Sequence, residues 1–451
     1  MWGNQVSANS TKLRYLRQIV ARIESHVLPA GAIGSQWLEG LSLFRGRLNV
    51  HGHVVGIRKD AGLATFNLTD LLFNGSPQYA RGVTFSDFLN QVSHLIIELF
   101  GDEPQKHLDK PDLQKLENTL RNWFLANSPS IRLYIPCRLT TVPGSAFKIG
   151  PISFDHINNV IEREKKENEK LFEVGFQSVL SAMAAEAAHW MANVDVSGCT
   201  KNRAWEIGDL AVDIAVTGLQ LVIPLNFSER MARMMARNLP RNRDMVSRVD
   251  GALSFGGTNQ QPALGMGPYV LEAQLHAGRA ILEAVGHRVE AFLSGNTGQL
   301  STLEQAWCDA AYWFHEGLAE PLDTIAVPKL ETAIEVLLHT ESTKGSKGRL
   351  LRAIKTFYGL NKQDFINPDI QITVEKFAAD FVRDRSRILH GTWSTLNHSL
   401  RDSRPSLTLL VHSLLTNYVI ELDAFAADPA ATDDVDRFLD WVATRREKAS
   451  S

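Results

Sequence analysis

Cysteine is scarce. The chain has three in 451 residues, Cys137, Cys199 and Cys308, far apart, odd in number and without a CxxC pair. That spacing gives no reason to expect a disulfide framework or a thiolate zinc site, and it fits a reducing, cytoplasmic setting. An excess of one charge is also missing: the formal net charge is −3 and the pI about 6.5. Any nucleic-acid binding must therefore rest on a local patch. Long apolar runs are lacking too. The opening MWGNQVSANSTKLRYL has no secretory core, and the longest candidate, Leu210 to Pro224, is interrupted by Asp213 and Gln220. It falls short of the roughly 20 residues a membrane helix needs, so the expectation is a soluble intracellular protein without membrane association. GGTNQQPALGMGP is rich in Gly and Pro but no GK[ST] follows it, which makes it a loop rather than a phosphate cradle.

What is present is ordinary globular composition, 44% hydrophobic and 22% charged, enough for two or three domains. The fold class expected is α+β: a mixed α/β N-terminal region, residues 1–295, then an all-α bundle over 296–428 and an amphipathic C-terminal helix and tail over 429–451. Leu13, Leu16, Val20 and Ile23 have helical spacing, as do Leu113, Leu116, Leu120 and Phe124. LNVHGHVVGI alternates like a strand pair. IRLYIPCRLTTVPGSAFKIGPISF reads as two strands in a hairpin around Val-Pro-Gly. The charge run from Arg163 to Lys170 leads into a helix with Leu171, Val174, Val179 and Leu180, and Ser247 to Gly257 is strand-like.

From Leu271 onward the pattern is helical, with SGNTGQ (Ser294 to Gln299) as a linker. Beyond it come five helical segments: Leu303 to Leu318; Ile325 to Leu338; one marked by Leu350, Ile354 and Phe357; one opened by Val374, Phe377, Ala378 and Phe381; and Leu407 to Phe425. The final helix starts after Thr432-Asp433, read as its N-cap.

One constellation points to chemistry. In FVRDRSRILHGT, Phe381 to Thr392, Arg385 and His390 are separated by four residues. Extending the stripe of Val374, Ala378 and Phe381 lands on Arg385, where a guanidinium is costly unless it meets an anion, another protomer or a solvent-filled groove. Ser386 lies one turn before His390 and can orient the imidazole. Gly391 supplies a helix stop. Residues five apart on a regular helix point about 140° from each other. Either the helix loosens before Gly391, or a second copy completes the site across a two-fold axis. A structural Arg beside a surface His explains the same spacing.

RSRILHG resembles the motif of HEPN ribonucleases, an arginine and a histidine separated by four to six residues near the end of a late helix. It is closer to the Apea-like branch, in which an Arg-Ser pair precedes His-Gly. AYWF (Ala311 to Phe314), LETAIEVLL (Leu330 to Leu338) and KGSKGRL agree with it, so the likeness runs from Leu300 to Phe425. YIPCRLTTVPGSAFKIGPISF is similar to strands found ahead of such domains. Ser386 departs from the Asn, Asp or His that often follows the arginine in other branches.

The resemblance implies a HEPN-like helical bundle that dimerises so that two motifs face one cleft. It implies metal-independent RNA cleavage through the ribose 2'-hydroxyl, without a cofactor. His390 would transfer protons and Arg385 would neutralise charge on the phosphoryl oxygens. Arg383, Arg387 and Trp393 at the motif, with Lys347 and Arg349 elsewhere in the bundle, are candidate RNA contacts; Arg401 and Arg404 near the motif and Lys344 in the bundle add charge, and His398 is a second candidate for proton transfer. The partners expected are RNA, with tRNA as one candidate, a second copy of the chain, and a trigger ligand or protein for residues 1–295. The biological role implied is a prokaryotic antiphage toxin of the abortive-infection type. The alternatives are a catalytically inactive HEPN scaffold or dimerisation module, and a partner of a nucleotidyltransferase, although no nucleotidyltransferase signature stands in the chain.

Overall fold

The computed structural model describes residues 2–27, 47–48, 53–102, 107–141, 143–167, 176–186, 188–234, 243–249, 252–258, 267–340, 343–367, 371–394, 400 and 403–450. The architecture is α+β. Two units emerge, one of Met1–Ile131 with Val196–Glu206, the other of Arg132–Asp195 with Ile207–Ser451.

The first unit contains α1 (Trp2–Val20), β1 (Ile23–Val27), β2 (Arg47–Leu48), β3 (His53–Ile57), α2 (Gly62–Asn74), α3 (Pro77–Gly82), α4 (Phe85–Phe100) and α5 (Lys110–Asn127). Both helical stripes read from the sequence supply its core, in which Leu16, Leu68, Phe88, Ile96, Leu116 and Phe124 are buried. Local chemistry sets the starts of two helices. The Thr84 hydroxyl accepts from the Asp87 amide at 3.1 Å, and Asp109 and Asp112 form a reciprocal capping box ahead of α5. The expected strand pair is β2 and β3, antiparallel with Arg47 opposite Val55. Ile23, placed by spacing on the first helix, instead opens β1, where it pairs with Ile57 and both are buried.

The second unit begins with a five-stranded sheet of order β5-β6-β7-β4-β8. Its strands are β4 (Ile131–Arg138), β5 (Phe147–Ile149), β6 (Ile152–His156), β7 (Trp190–Val196) and β8 (Ala232–Arg233), interleaved with α6 (Ile157–Glu167), α7 (Gln177–Ala185) and α8 (Lys201–Val222). This corrects the expected hairpin. β4 lies between β7 and β8, and the tight turn falls at Gly150-Pro151 between β5 and β6. Gly150 has φ +56°, and a Cβ there would lie 2.4 Å from the Gly286 carbonyl oxygen, while one on Gly286 would lie 2.6 Å from the Gly150 nitrogen. The glycines therefore let a later helix touch the hairpin backbone to backbone. The charge run closes α6 as far as Glu167; Leu171 and Val174 lie outside the described residues, and Val179 and Leu180 sit in α7. Within Ser247 to Gly257, residues 247–249 and 252–257 belong to an antiparallel ribbon, β9 (Arg243–Val249) and β10 (Ala252–Thr258), and 250–251 lie outside the described residues. Most of the expected Gly/Pro-rich loop, 259–266, lies outside the described residues.

Next come α9 (Pro268–Ala277), α10 (Arg279–Ser294), α11 (Ser301–Ala319), α12 (Asp323–Leu337), α13 (Thr343–Tyr358), β11 (Phe365–Asn367), β12 (Ile372–Thr373), α14 (Val374–Leu389), α15 (Ser403–Ala426) and α16 (Val435–Ser450). The five expected helical segments are α11 to α15. The proposed break at 295 falls inside the unit. SGNTGQ is a tight turn in which Gly295 takes φ +90° and the Asn296 amide returns to the Ala291 carbonyl at 2.7 Å. It folds α10 onto α11 and α15. Thr217 on α8 also donates to the Ala311 carbonyl on α11 at 3.1 Å.

α16 is equally part of the unit, with Phe438 fully buried 4.6 Å from the Tyr418 ring and 5.4 Å from Phe425. Its cap is Asp434, which accepts from the Arg437 amide at 2.9 Å. Asp433, expected in that role, caps α11 instead, accepting from the Thr302 and Leu303 amides at 2.8 and 2.9 Å. α15 is long and apolar enough to cross a membrane by composition, which the reading of short apolar runs did not anticipate. It packs against α10, α11 and α12, and the indole of Trp307 donates to its Leu415 carbonyl at 3.1 Å. Its apolar faces are those of a central core helix.

Candidate functional site

The motif helix α14 starts at Thr373, whose hydroxyl accepts from the Lys376 amide at 3.2 Å. It then buries Val374, Ala378 and Phe381. Arg385 follows on that stripe, and the anion it meets comes from the same chain. Its Nη1 lies 2.7 Å from Glu335 Oε2 on α12, with the guanidinium 30% and the carboxylate 13% exposed. Glu335 is held by its other oxygen, which accepts from Ser346 at 2.8 Å. Among the described residues Glu335 is the only ion-pair partner of Arg385. One turn earlier on α12, Glu331 is fully buried, and among the described residues neither of its carboxylate oxygens is hydrogen-bonded and the buried Arg385 Nε has no acceptor. Burial pushes the Glu331 carboxyl well above the usual carboxylate range, against the pull of Arg385. Arg385 is therefore not stranded on an apolar face and needs no second protomer to supply its counter-ion.

His390 closes α14. Its amide reaches the Ser386 carbonyl at 3.0 Å, a regular helical bond, and the helix stops at Gly391, whose φ is +69°. The helix thus stays regular up to the histidine, so Arg385 and His390 side chains diverge by roughly 140°. Loosening before Gly391 does not bring them together. Gly391 itself matches its expected role as the stop. Among the described residues no hydrogen bond joins the Ser386 hydroxyl to the His390 imidazole. His390 is exposed and Ser386 half-buried. Beyond the stop, the Trp393 amide and the Thr392 hydroxyl return to the Arg387 carbonyl at 3.0 and 2.9 Å, and the Arg387 guanidinium lies 4.9 Å over the Trp393 ring.

Comparison of the chain with family models, with curated proteins and with solved structures finds no match. The site therefore has to be read from its own residues.

The candidate basic residues do not form one unopposed patch. Arg383 pairs with Asp380 at 2.7 Å and Asp384 at 3.0 Å, and Lys347 with Glu375 at 3.3 Å. Arg349 donates to the Leu338 carbonyl at 2.8 Å and pairs with Asp436 at 3.2 Å, holding the end of α12. Arg404 pairs with Asp323 at 3.0 Å and caps α11 through the Leu318 carbonyl. Arg387 and Trp393 remain together at the motif. His398, Arg401 and the side chain of Lys344 lie outside the described residues.

Sequence reasoning missed Glu335 and Glu331. Their signal was present in LETAIEVLL, two glutamates four residues apart in a mostly apolar stretch of helix. A cavity of about 310 Å³ also adjoins α14 near its start, lined by Ile354, Ile372, Phe377, Leu409 and Leu410 with the Ser406 and Ser413 hydroxyls. It has no charged lining residue and none from the motif. Among the described residues no three His, Cys, Asp or Glu side chains are placed to hold a metal ion.

Proposed function

We propose that the protein is a HEPN-type endoribonuclease of the Apea-like branch, cutting RNA through the ribose 2'-hydroxyl without a metal ion. The observation that carries the reading is the fixed guanidinium of Arg385, braced by Glu335 at 2.7 Å, five residues before an exposed His390 at a glycine-stopped helix end. His390 takes the proton from the 2'-hydroxyl or returns one to the leaving 5'-oxygen, a task open to an exposed imidazole at a helix end. Arg385 stabilises the charge that develops on the phosphoryl oxygens. Glu335 positions the guanidinium, whereas Ser386, one turn before His390, makes no hydrogen bond to the imidazole among the described residues and has at most a minor part. Because the helix is regular between Arg385 and His390, two copies of α14 facing one cleft supply the convergence that one copy lacks. Arg387 and Trp393 offer a charge and a ring to the RNA beside the site. The first unit, Met1–Ile131 with Val196–Glu206, would sense a trigger or restrain the nuclease, in keeping with a cytoplasmic antiphage toxin acting on RNA such as tRNA.

The ion pair with Glu335 also favours a second reading, a catalytically silent HEPN scaffold in which Arg385 only ties α14 to α12. Incubating the purified chain with total tRNA in EDTA separates the two. The nuclease reading expects cleavage that falls by roughly 10²–10⁴-fold in His390→Ala, by most of its rate in Arg385→Lys, which loses the planar fork, and only mildly in Ser386→Ala. Intact tRNA with the parent chain would favour the scaffold.

A further inference from the structure

We propose that the cavity between α13, the β11–β12 ribbon, α14 and α15 is a binding site for a small neutral molecule, a mainly apolar ring compound with one hydrogen-bonding group. The proposal is independent of the nuclease reading. Every element gives the cavity an apolar wall: Ile354 from α13, Ile366 and Ile372 from the ribbon, Phe377 from α14 and Leu410 from α15. Close packing leaves protein interiors few voids larger than a water molecule, and here the space is about 310 Å³. An apolar cavity of roughly 150 Å³ already takes up benzene, so this one has room for two fused rings. Leu409, 63% exposed, and the exposed Ser406 also line it and mark its opening to solvent. The ribbon is bent to form its wall. Phe365 pairs with Thr373 and Asn367 with Ile372, which leaves Ile366 unpaired at a bulge, a device that re-aims a side chain. Gln371, just before Ile372, has φ +52°, a left-handed backbone that is costly outside glycine and recurs at ligand clamps.

Polarity sets the class of ligand. No charged residue lines the cavity, so a charged molecule would lose its water there without gaining a counter-ion. Three hydroxyls do line it, on Tyr358, Ser406 and Ser413. The Tyr358 hydroxyl is buried. Ser413 and Asn417 are near it, yet among the described residues neither completes a hydrogen bond of good geometry. Buried hydroxyls ordinarily have a partner, and an oxygen on the ligand would supply one. Apolar walls with a few polar groups that fix orientation are the usual construction of a small-molecule site.

The test titrates the full chain with 2-naphthol, a neutral two-ring probe with one hydroxyl, by calorimetry. It should bind at one site per chain and raise the unfolding temperature with concentration. Its charged counterpart 2-naphthoate should bind at least about tenfold more weakly, because it must be desolvated without a counter-ion. Tyr358→Phe keeps the ring but removes the hydroxyl, and should weaken 2-naphthol about fivefold, the net worth of one hydrogen bond. Ser413→Leu fills the space and should abolish binding. Ser406→Leu, at an exposed position that leaves the fold intact by circular dichroism, should weaken it at least about tenfold by the same crowding, and keeps the test decisive if Ser413→Leu does not fold. No saturable binding by the parent, equal affinity for 2-naphthoate, or unchanged affinity in Tyr358→Phe or in folded Ser406→Leu would each overturn the proposal. If Leu409→Ser converts a dimer into a monomer by light scattering, a second copy of the chain closes the cavity and the proposal fails.

Discussion

Glu335 is the residue on which the site turns, because one of its oxygens holds Arg385 and the other accepts from Ser346. Glu335→Gln removes the charge but keeps the shape, leaving a half-buried guanidinium without its anion. The expected cost is roughly 1–3 kcal/mol, below that of a fully buried pair because Arg385 keeps some contact with water. Urea unfolding of the variant measures it, and stability equal to the parent would mean that the pair does not hold α14 to α12. A second pair of residues gives a pH signature. Burial pushes the Asp213 carboxyl up to about 6 and the His315 imidazole down to about 4. The carboxyl also accepts from Arg233 at 2.9 and 3.0 Å, and His315 Nδ1 lies 3.2 Å from Gln220 Oε1. Stability from Asp213 is complete below its ordinary value of 3.8 and lost as pH rises through 6. Stability from His315 is complete above 6.5 and lost as pH falls through 4. These slopes oppose each other in the intact chain. His315→Gln removes one of them, so its stability relative to the parent should fall steadily as pH rises from 4 toward 6.5; a difference that is flat across that range would contradict the assignment.

Elements show where capping chemistry crosses the chain. Asp433 sits just before α16 in sequence yet caps α11, more than a hundred residues earlier. Asp433→Ala should therefore cost about 1 kcal/mol, the usual loss for an N-cap, through the start of α11. Hydrogen exchange should rise at the Thr302 and Leu303 amides, and protection lost at the start of α16 alone would show that the cap was misassigned. The same case shows what sequence makes legible. Helices α11 to α16 were readable because periods such as Leu350, Ile354 and Phe357 are local. Which strand neighbours β4 was not, because it depends on β7 and β8, distant in sequence, and Val-Pro-Gly looked like a turn as strong as Gly150-Pro151. The motif was legible by its spacing and its glycine stop. Its partner Glu335 was not, because pairing between α12 and α14 follows from packing. The two-unit organisation was hidden for a related reason: SGNTGQ has the composition of a linker, while the contacts that make it a tight turn lie in α10, α11 and α15.

At the scale of the whole molecule, α10 seals the bundle with Leu282, Val285 and Val289, all buried. A chain that starts at 295 lacks this helix and exposes the apolar faces of α11 and α15 that it covers. Such a fragment should aggregate or lose cooperative unfolding, whereas a soluble, cooperatively unfolding fragment would restore the boundary read from composition. The full chain should also dimerise, now because α14 alone cannot aim Arg385 and His390 at one phosphate; a strict monomer by light scattering at micromolar concentration, with or without RNA, would remove the shared cleft. The chemistry at the ends of any RNA fragments produced tests the proposed function most directly. Total tRNA incubated with the purified chain in EDTA should yield fragments bearing 2',3'-cyclic or 3'-phosphate and 5'-hydroxyl ends, as attack by the 2'-hydroxyl requires, and His390→Ala should yield none. Fragments with 3'-hydroxyl ends that appear only with magnesium, or the same fragments from His390→Ala, would contradict it.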